Sequence, residues 1–286
     1  MSLASTPIPP HVIGAVLGAA LLHAGWNAVL KRRGEPLLAT VLVTTGAALA
    51  AAIALPFLAL PERASWPFIA ASSVLQTVYY LLLIATYRAG DVSHAYPLMR
   101  GSAPLLVALA NGLLTGEVLG GAQWLAMLLI CGGVLALWLG ARDGRPQGSA
   151  TRFALLTACV IAGYTLVDGI GVRRSGAPAA YTLWIFLFTG LAVAALTLRG
   201  RRRALLAFAR AHPLVAPLGG LASVGSYGIA LWAMTLAPVA AIAALRETSI
   251  LFATAIAAFV LGERVGRVRI AAACLIACGA VAMRLA

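Results

Sequence analysis

Residues 98–117 read LMRGSAPLLVALANGLLTGE, and residues 244–263 read ALRETSILFATAIAAFVLGE. The two stretches follow one pattern at a fixed offset of 146 positions, which aligns Arg100 with Arg246, Gly116 with Gly262 and Glu117 with Glu263. The same register pairs Gly133 with Gly279 and Trp66-Pro67 with His212-Pro213. A second echo, at a slightly different offset, joins Ala24-Gly25-Trp26 to Ala162-Gly163-Tyr164. Each is followed by a basic pair, Arg32-Arg33 and Arg173-Arg174. The chain therefore reads as a duplication of half its length, a pattern that in a membrane protein points to transporters.

Of the residues, 62% are hydrophobic and 10% are charged, and the mean hydropathy is +0.97. That leaves too little polar surface to cover a soluble globule of 286 residues. A hydrocarbon core about 30 Å thick takes roughly 20 apolar residues in a helix. Such runs fall near 12–30, 36–60, 66–88, 93–115, 119–140, 152–172, 178–198, 212–235, 238–261 and 267–285. All are expected to be helical, because backbone in lipid must satisfy its own hydrogen bonds. The expected fold is thus all-α and integral to the membrane, with ten transmembrane helices in two five-helix repeats, residues 1–146 and 147–286. An odd number of crossings per repeat turns the second copy upside down, so the repeats are expected to be inverted. The first run reads as a true span rather than a leader, since residues 1–11 carry no Lys or Arg and Lys31-Arg32-Arg33 follows it.

A net charge of +13 does not signal nucleic acid, because no water-facing domain gathers the basic residues. They punctuate short loops and divide 15 to 4 between the two sides, with Arg100 and Arg246 inside spans. The positive-inside rule makes the richer side cytoplasmic and places both chain ends outside. Cys131, Cys159, Cys274 and Cys278 lie in apolar spans without metal or redox spacing and read as small packing residues. Gly14-x-x-x-Gly18 reads as a close-packing face. Such faces serve internal packing and dimers alike, so monomer and homodimer stay equally open. The polar stretch 141–149 marks the handover between repeats. Pro104 lies inside the fourth span, where proline removes a hydrogen bond and bends the axis, whereas its repeat partner is Ile250. The broken helix and hinge are therefore expected in the first half.

Charges inside a span are costly and face a bundle interior or an aqueous cavity. Arg100 and Arg246 suit a carboxylate or phosphate held at the centre, with ion pairing between helices as the structural alternative. Asp168 and Glu247 are the carboxylates inside apolar stretches. Desolvation disfavours their charged form, so either is a candidate for a coupling proton, or else for a structural ion pair. His23, Trp26 and Asn27 share one helical face. Tyr164 with Asp168, Gln76 with Tyr80, and Ser223 with Tyr227 form comparable faces, and together with Tyr96 these are candidates to line a polar, aromatic cavity. Glu117 and Glu263, at span ends, read as anchors for neighbouring helices.

Three segments carry a family resemblance: His23-Ala24-Gly25-Trp26-Asn27 through Lys31-Arg32, Ala95-Tyr96-Pro97-Leu98-Met99-Arg100-Gly101-Ser102-Ala103-Pro104, and Leu245-Arg246-Glu247-Thr248-Ser249 running to Leu261-Gly262-Glu263-Arg264. With them the chain resembles the EamA-type transporters of the drug/metabolite transporter superfamily along essentially its whole length. The resemblance implies a multi-pass protein of the bacterial cytoplasmic membrane that exports small metabolites, often amino acids, in many cases driven by protons. It also implies cytoplasmic chain ends; we follow the charge distribution instead. The expectation is a secondary transporter working by alternating access on a small-molecule substrate, within the lipid bilayer, with no cofactor, no metal and no nucleic acid. A lipid-linked sugar or lysolipid flippase on the same scaffold is the alternative. An integral-membrane enzyme ranks last, because the acids are scattered and the loops short.

Overall fold

The computed structural model describes residues 8–31, 36–90, 92–114, 116–117, 119–140, 148–197, 201–260, 262 and 265–286. Among them it forms helices and no strand: α1 (Pro10–Lys31), α2 (Pro36–Ala54), α3 (Trp66–Ala89), α4 (Val92–Leu114), α5 (Gly121–Gly140), α6 (Gly148–Arg173), α7 (Pro178–Thr197), α8 (Arg202–Ala211), α9 (Val215–Met234), α10 (Val239–Arg246), α11 (Ser249–Phe259) and α12 (Arg267–Leu285). Eight segments among the described residues are long and apolar enough to cross a membrane. The helices α1 and α4, of 22 and 23 residues, are not among these eight. Polar groups such as His94, Arg100 and Asn111 in α4 dilute its apolar character.

Helix boundaries lie within a few residues of the apolar runs, with two departures. The run at 238–261 is two helices, α10 and α11, parted at Glu247-Thr248. The expected break in the first half is not there: α4 runs continuously through Pro97 and Pro104. The second departure is α8, an unforeseen ten-residue amphipathic helix between α7 and α9. It buries Phe208 against α2 and keeps Arg202, Arg203 and Arg210 exposed.

The main helix contacts largely recur under exchange of the two halves. Swapping α1 with α6, α2 with α7, α3 with α9, α4 with α10 and α11, and α5 with α12 turns the α3–α6 contact into α9–α1. It likewise turns α2–α9 into α7–α3 and α4–α6 into α11–α1, while α2–α7 and α5–α12 map onto themselves. Atomic contacts obey the same exchange. A Cβ placed on Gly133 would meet Ile276 at 2.8 Å and the Ala272 carbonyl oxygen at 2.9 Å; one on Gly279 would meet Ile130 at 2.7 Å and the Ala126 carbonyl oxygen at 2.8 Å. Every residue in the first set stands 146 positions from its counterpart in the second. Gly116 and Gly262, which end α4 and α11, both adopt left-handed φ, 71° and 65°, a conformation that favours glycine because it lacks Cβ.

Some small residues lie elsewhere than expected. Gly14 and Gly18 touch nothing within 4 Å of a Cβ position, so this pair is not a helix contact in the single chain. The close approaches are at Gly46, Gly190 and Gly220, where α2 wedges between α7 and α9. Of the cysteines only Cys131 packs inside; Cys159, Cys274 and Cys278 are exposed, which corrects their reading as packing residues.

Candidate functional site

The α10–α11 break is made by backbone, not by proline. The amides of Glu247, Thr248 and Ile250 bond carbonyls three residues back (Ala244, Leu245 and Glu247) at 3.0, 3.1 and 3.0 Å, and the Thr248 hydroxyl donates to the Leu245 carbonyl at 2.7 Å. This is a 3₁₀-type tightening, which in mid-helix commonly marks a functional position. Because the Ile250 amide turns to Glu247, it passes over the carbonyl of Arg246, its α-helical partner. In α4 the residue at the same register is Pro104, which has no N–H to give to the carbonyl of Arg100. Both arginine carbonyls thus lack their i+4 donor.

The break holds Glu247 against the other half. Arg100 Nε on α4 donates to Glu247 Oε2 at 3.0 Å, and both residues are nearly sealed, at 8% and 4% exposure. Arg246, the neighbour of Glu247, projects elsewhere and stays half-buried. Its guanidinium lies over the Tyr227 ring, 4.9 Å from the centroid, and it forms no ion pair among the described residues. The two arginines, equivalent in sequence, therefore occupy different electrostatic situations.

Asp168 is fully buried on α6. Its Oδ1 accepts from the Tyr181 hydroxyl at 3.0 Å, and its Oδ2 accepts from the Tyr227 hydroxyl at 2.5 Å and from Gln76 Nε2 at 3.3 Å. Gln76 Nε2 also donates to Ser72 at 3.2 Å. Glycines make the room: a Cβ on Gly171 would overlap the Tyr181 hydroxyl and lie 2.5 Å from Phe68 Cβ, and one on Gly169 would lie 2.5 Å from Val239 of α10. No basic side chain among the described residues is paired with Asp168. Three neutral donors from α3, α7 and α9 compensate it instead.

Around these charges the rings of Tyr80, Tyr79, Tyr164, Tyr227 and Phe186 follow one another at centroid distances of 5.1, 5.8, 6.2 and 6.0 Å, the last three edge to face. This aromatic wall spans α3, α6, α9 and α7. His23 and Tyr96 sit within the electrostatic reach of both arginines, and Tyr164 within that of all four charged groups. His23, Tyr80 and Tyr96 are surrounded by the bundle yet keep partial accessibility, the combination expected of groups lining an internal cavity.

Of the residues singled out in sequence, the centre brings together His23, Gln76, Tyr80, Tyr96, Arg100, Tyr164, Asp168, Tyr227, Arg246 and Glu247. Trp26 instead packs with Val43, Phe208 and Val215 at the α1–α2–α8–α9 corner, with its indole nitrogen buried and without a partner. Asn27 is exposed and donates to the His23 carbonyl at 2.7 Å. Ser223 is half-buried and its carbonyl accepts from Ser226 at 3.2 Å. Tyr181, Tyr79 and Phe186 were not anticipated; Tyr181 sits near the start of its span, where an aromatic reads as an interfacial anchor.

Away from the centre, Arg173 at the end of α6 joins the α4–α5 and α9–α10 connections. It pairs with Glu117 and donates from Nε to the Met234 carbonyl at 2.7 Å and from Nη2 to the Ala237 carbonyl at 3.0 Å. Asn111 donates to the second oxygen of Glu117 at 2.9 Å. Arg32, Arg33 and Glu263 lie outside the described residues.

Fold and site together define a polytopic helical membrane protein with an ionisable, aromatic centre and no group of metal ligands among the described residues. The chain belongs to the EamA-like transporter family, whose model matches it twice, over residues 11–139 and 149–285. No curated protein matches it. Solved structures do: 28 chains match, among them a crystal structure described only as that of a protein, 19% identical, with a TM-score of 0.73 over 96% of this chain and 97% of the other. At that identity the likeness speaks for the fold alone.

Proposed function

We propose that this membrane transporter exports small metabolites, amino acids or related carboxylate-bearing compounds, across a bacterial cytoplasmic membrane by alternating access. The observation that carries the reading is the convergence of Arg100, Arg246, Glu247 and Asp168, drawn from both halves, at the centre of an otherwise apolar bundle. Charge is retained inside a membrane bundle where solutes or ions pass. Ten crossings in two inverted five-helix repeats, residues 1–146 and 147–286, provide the frame. The exchange relation among helix contacts and the double match to the family model support it, and α1 and α4 are long enough to complete the ten. The 15 to 4 distribution of basic residues supports chain ends on the outer face.

Flux into proteoliposomes of the purified protein tests the reading, with labelled amino acids, nucleosides, organic cations and lysolipids, with and without a pH gradient. Gradient-dependent amino-acid flux supports it, and silence toward every soluble solute rejects it. Asp168, a buried carboxyl without a cationic partner, is the coupling-proton site in this reading. Asp168→Asn is expected to leave solute counterflow intact while abolishing its acceleration by the gradient. A variant that keeps the full gradient response removes Asp168 from coupling and leaves Glu247 as the candidate.

A lipid-moving role has one observation of its own. A cavity of about 480 Å³, almost wholly apolar, lies between α7 and α9, lined by Pro178, Thr182, Leu183, Gly225, Gly228 and Trp232. Lysolipid flux in the same assay decides that alternative.

A further inference from the structure

The two arginines that the repeat makes equivalent are not equivalent as ligands for an anion. Arg100 is nearly sealed, and its charge is met by Glu247 at 3.0 Å. For it to bind a carboxylate the pair must break, which strands Glu247 in a low-dielectric interior. Arg246 has no such cost. It is half-buried and has no acidic partner among the described residues, and its guanidinium carbon lies over the Tyr227 ring, 4.9 Å from the centroid. That contact holds the cation against the ring, and a guanidinium so held presents N–H groups in the fork that matches a carboxylate. Tyr227 is also a member of the aromatic wall, beside Tyr164 and Phe186. A cation and an unbroken row of ring faces and edges thus meet at one residue.

We propose that Arg246 alone takes the anionic group of the substrate, that a planar aromatic or unsaturated body lies along the Tyr79–Tyr164–Tyr227 wall, and that Arg100 with Glu247 is a structural ion pair between helices. The substrate class is then a monoanion with a flat apolar body. The inference rests on the transporter reading and narrows the solutes it admits.

The test measures phenylacetate, phenylacetamide and acetate, both as equilibrium binding to the detergent-purified protein and as counterflow in proteoliposomes. The expected result is that the wild-type protein binds phenylacetate well above the other two. Arg246→Gln weakens phenylacetate at least ten-fold, to the level of phenylacetamide, which itself does not change. The pair exchanged for neutral polar side chains, Arg100→Gln with Glu247→Gln, keeps the preference for the anion, with affinity changed less than about three-fold. Tyr227→Phe retains the stacking surface and therefore most of the affinity, whereas Tyr227→Leu loses it. Arg246→Lys, with unfolding temperature measured alongside, separates loss of the fork from loss of the fold. Equal binding of acid and amide by the wild type overturns the proposal, and so does loss of anion preference in the Arg100/Glu247 variant rather than in Arg246→Gln. Flux of cations or neutral solutes with no carboxylate binding overturns this proposal and leaves the transporter reading standing. No flux of any solute from folded protein defeats both.

Discussion

Arg100→Ala is expected to destabilise the protein by about 3–5 kcal/mol, and Glu247→Ala by a similar amount, because either change leaves the surviving charge buried and unpaired. The pair bridges α4 and the end of α10 at 3.0 Å with both side chains nearly inaccessible, so water cannot replace the missing partner without opening the bundle. Removing both charges is a different experiment. Arg100→Met combined with Glu247→Leu keeps the volume apolar and avoids the desolvation of two ions, so it is expected to recover most of the loss and to approach the wild-type unfolding temperature. The measurement is thermal unfolding of all four proteins in one detergent, with the double variant compared against each single. Single variants as stable as wild type, or a double variant as unstable as the sum of the singles, sink the claim that the two residues act as a buried pair.

The largest expected packing effect belongs to Gly46. A Cβ there would overlap the Ala216 carbonyl oxygen, with the carbonyl carbon 2.6 Å away. The obstacle is backbone, which no rotamer can clear. The neighbouring contacts are as tight: a Cβ on Gly220 would lie 2.5 Å from the Ala47 amide nitrogen, and one on Gly190 would lie 2.5 Å from the Thr44 carbonyl oxygen. The helix α2 is therefore in backbone contact with both α7 and α9, and a single methyl must push a whole helix aside. Gly46→Ala is expected to exceed the roughly 1–3 kcal/mol usual for overpacking and to lower the yield of monodisperse protein. Gly25→Ala, at a position with nothing within 4 Å of the added methyl, serves as the control and is expected to stay within about 0.5 kcal/mol of wild type. Equal behaviour of the two variants in unfolding and size-exclusion profiles would falsify the packing argument.

The contrast between these glycines shows what the sequence carries and what it does not. Composition and run length place the helices well, because a bilayer imposes one length on every apolar segment and leaves the backbone one way to satisfy itself. The offset of 146 finds the glycines that end α4 and α11 and those that let α5 meet α12. Averaged hydropathy passes over the break at Glu247-Thr248, because the segment as a whole is apolar despite Arg246-Glu247-Thr248-Ser249 and no proline marks the turn; hydrogen bonds to carbonyls three residues back make it. Pro104, by contrast, announces a break, yet α4 runs through it as one helix. The spacing of Leu205, Phe208 and Ala209 within a basic cluster marks α8 as an amphipathic segment, but a count of loop charges reads the same residues only as a loop. Individual residues of the centre are legible as costly groups within spans. Their partners are not, because Arg100 and Glu247 are 147 positions apart and Tyr181 reaches Asp168 from another helix. Only three-dimensional packing decides that one arginine is neutralised and the other is not.

Pro104 and Ile250 look like a place where the halves have parted company, yet each leaves the carbonyl of the aligned arginine without its usual donor. What the halves share at this register is a missing bond rather than a residue. A residue-by-residue comparison of the repeats therefore understates their likeness at the point where it concerns the centre most. Hydrocarbon supplies no donor to such a carbonyl, so each half brings to the middle of the protein an acceptor that only a protein group, a water molecule or a passing solute can complete.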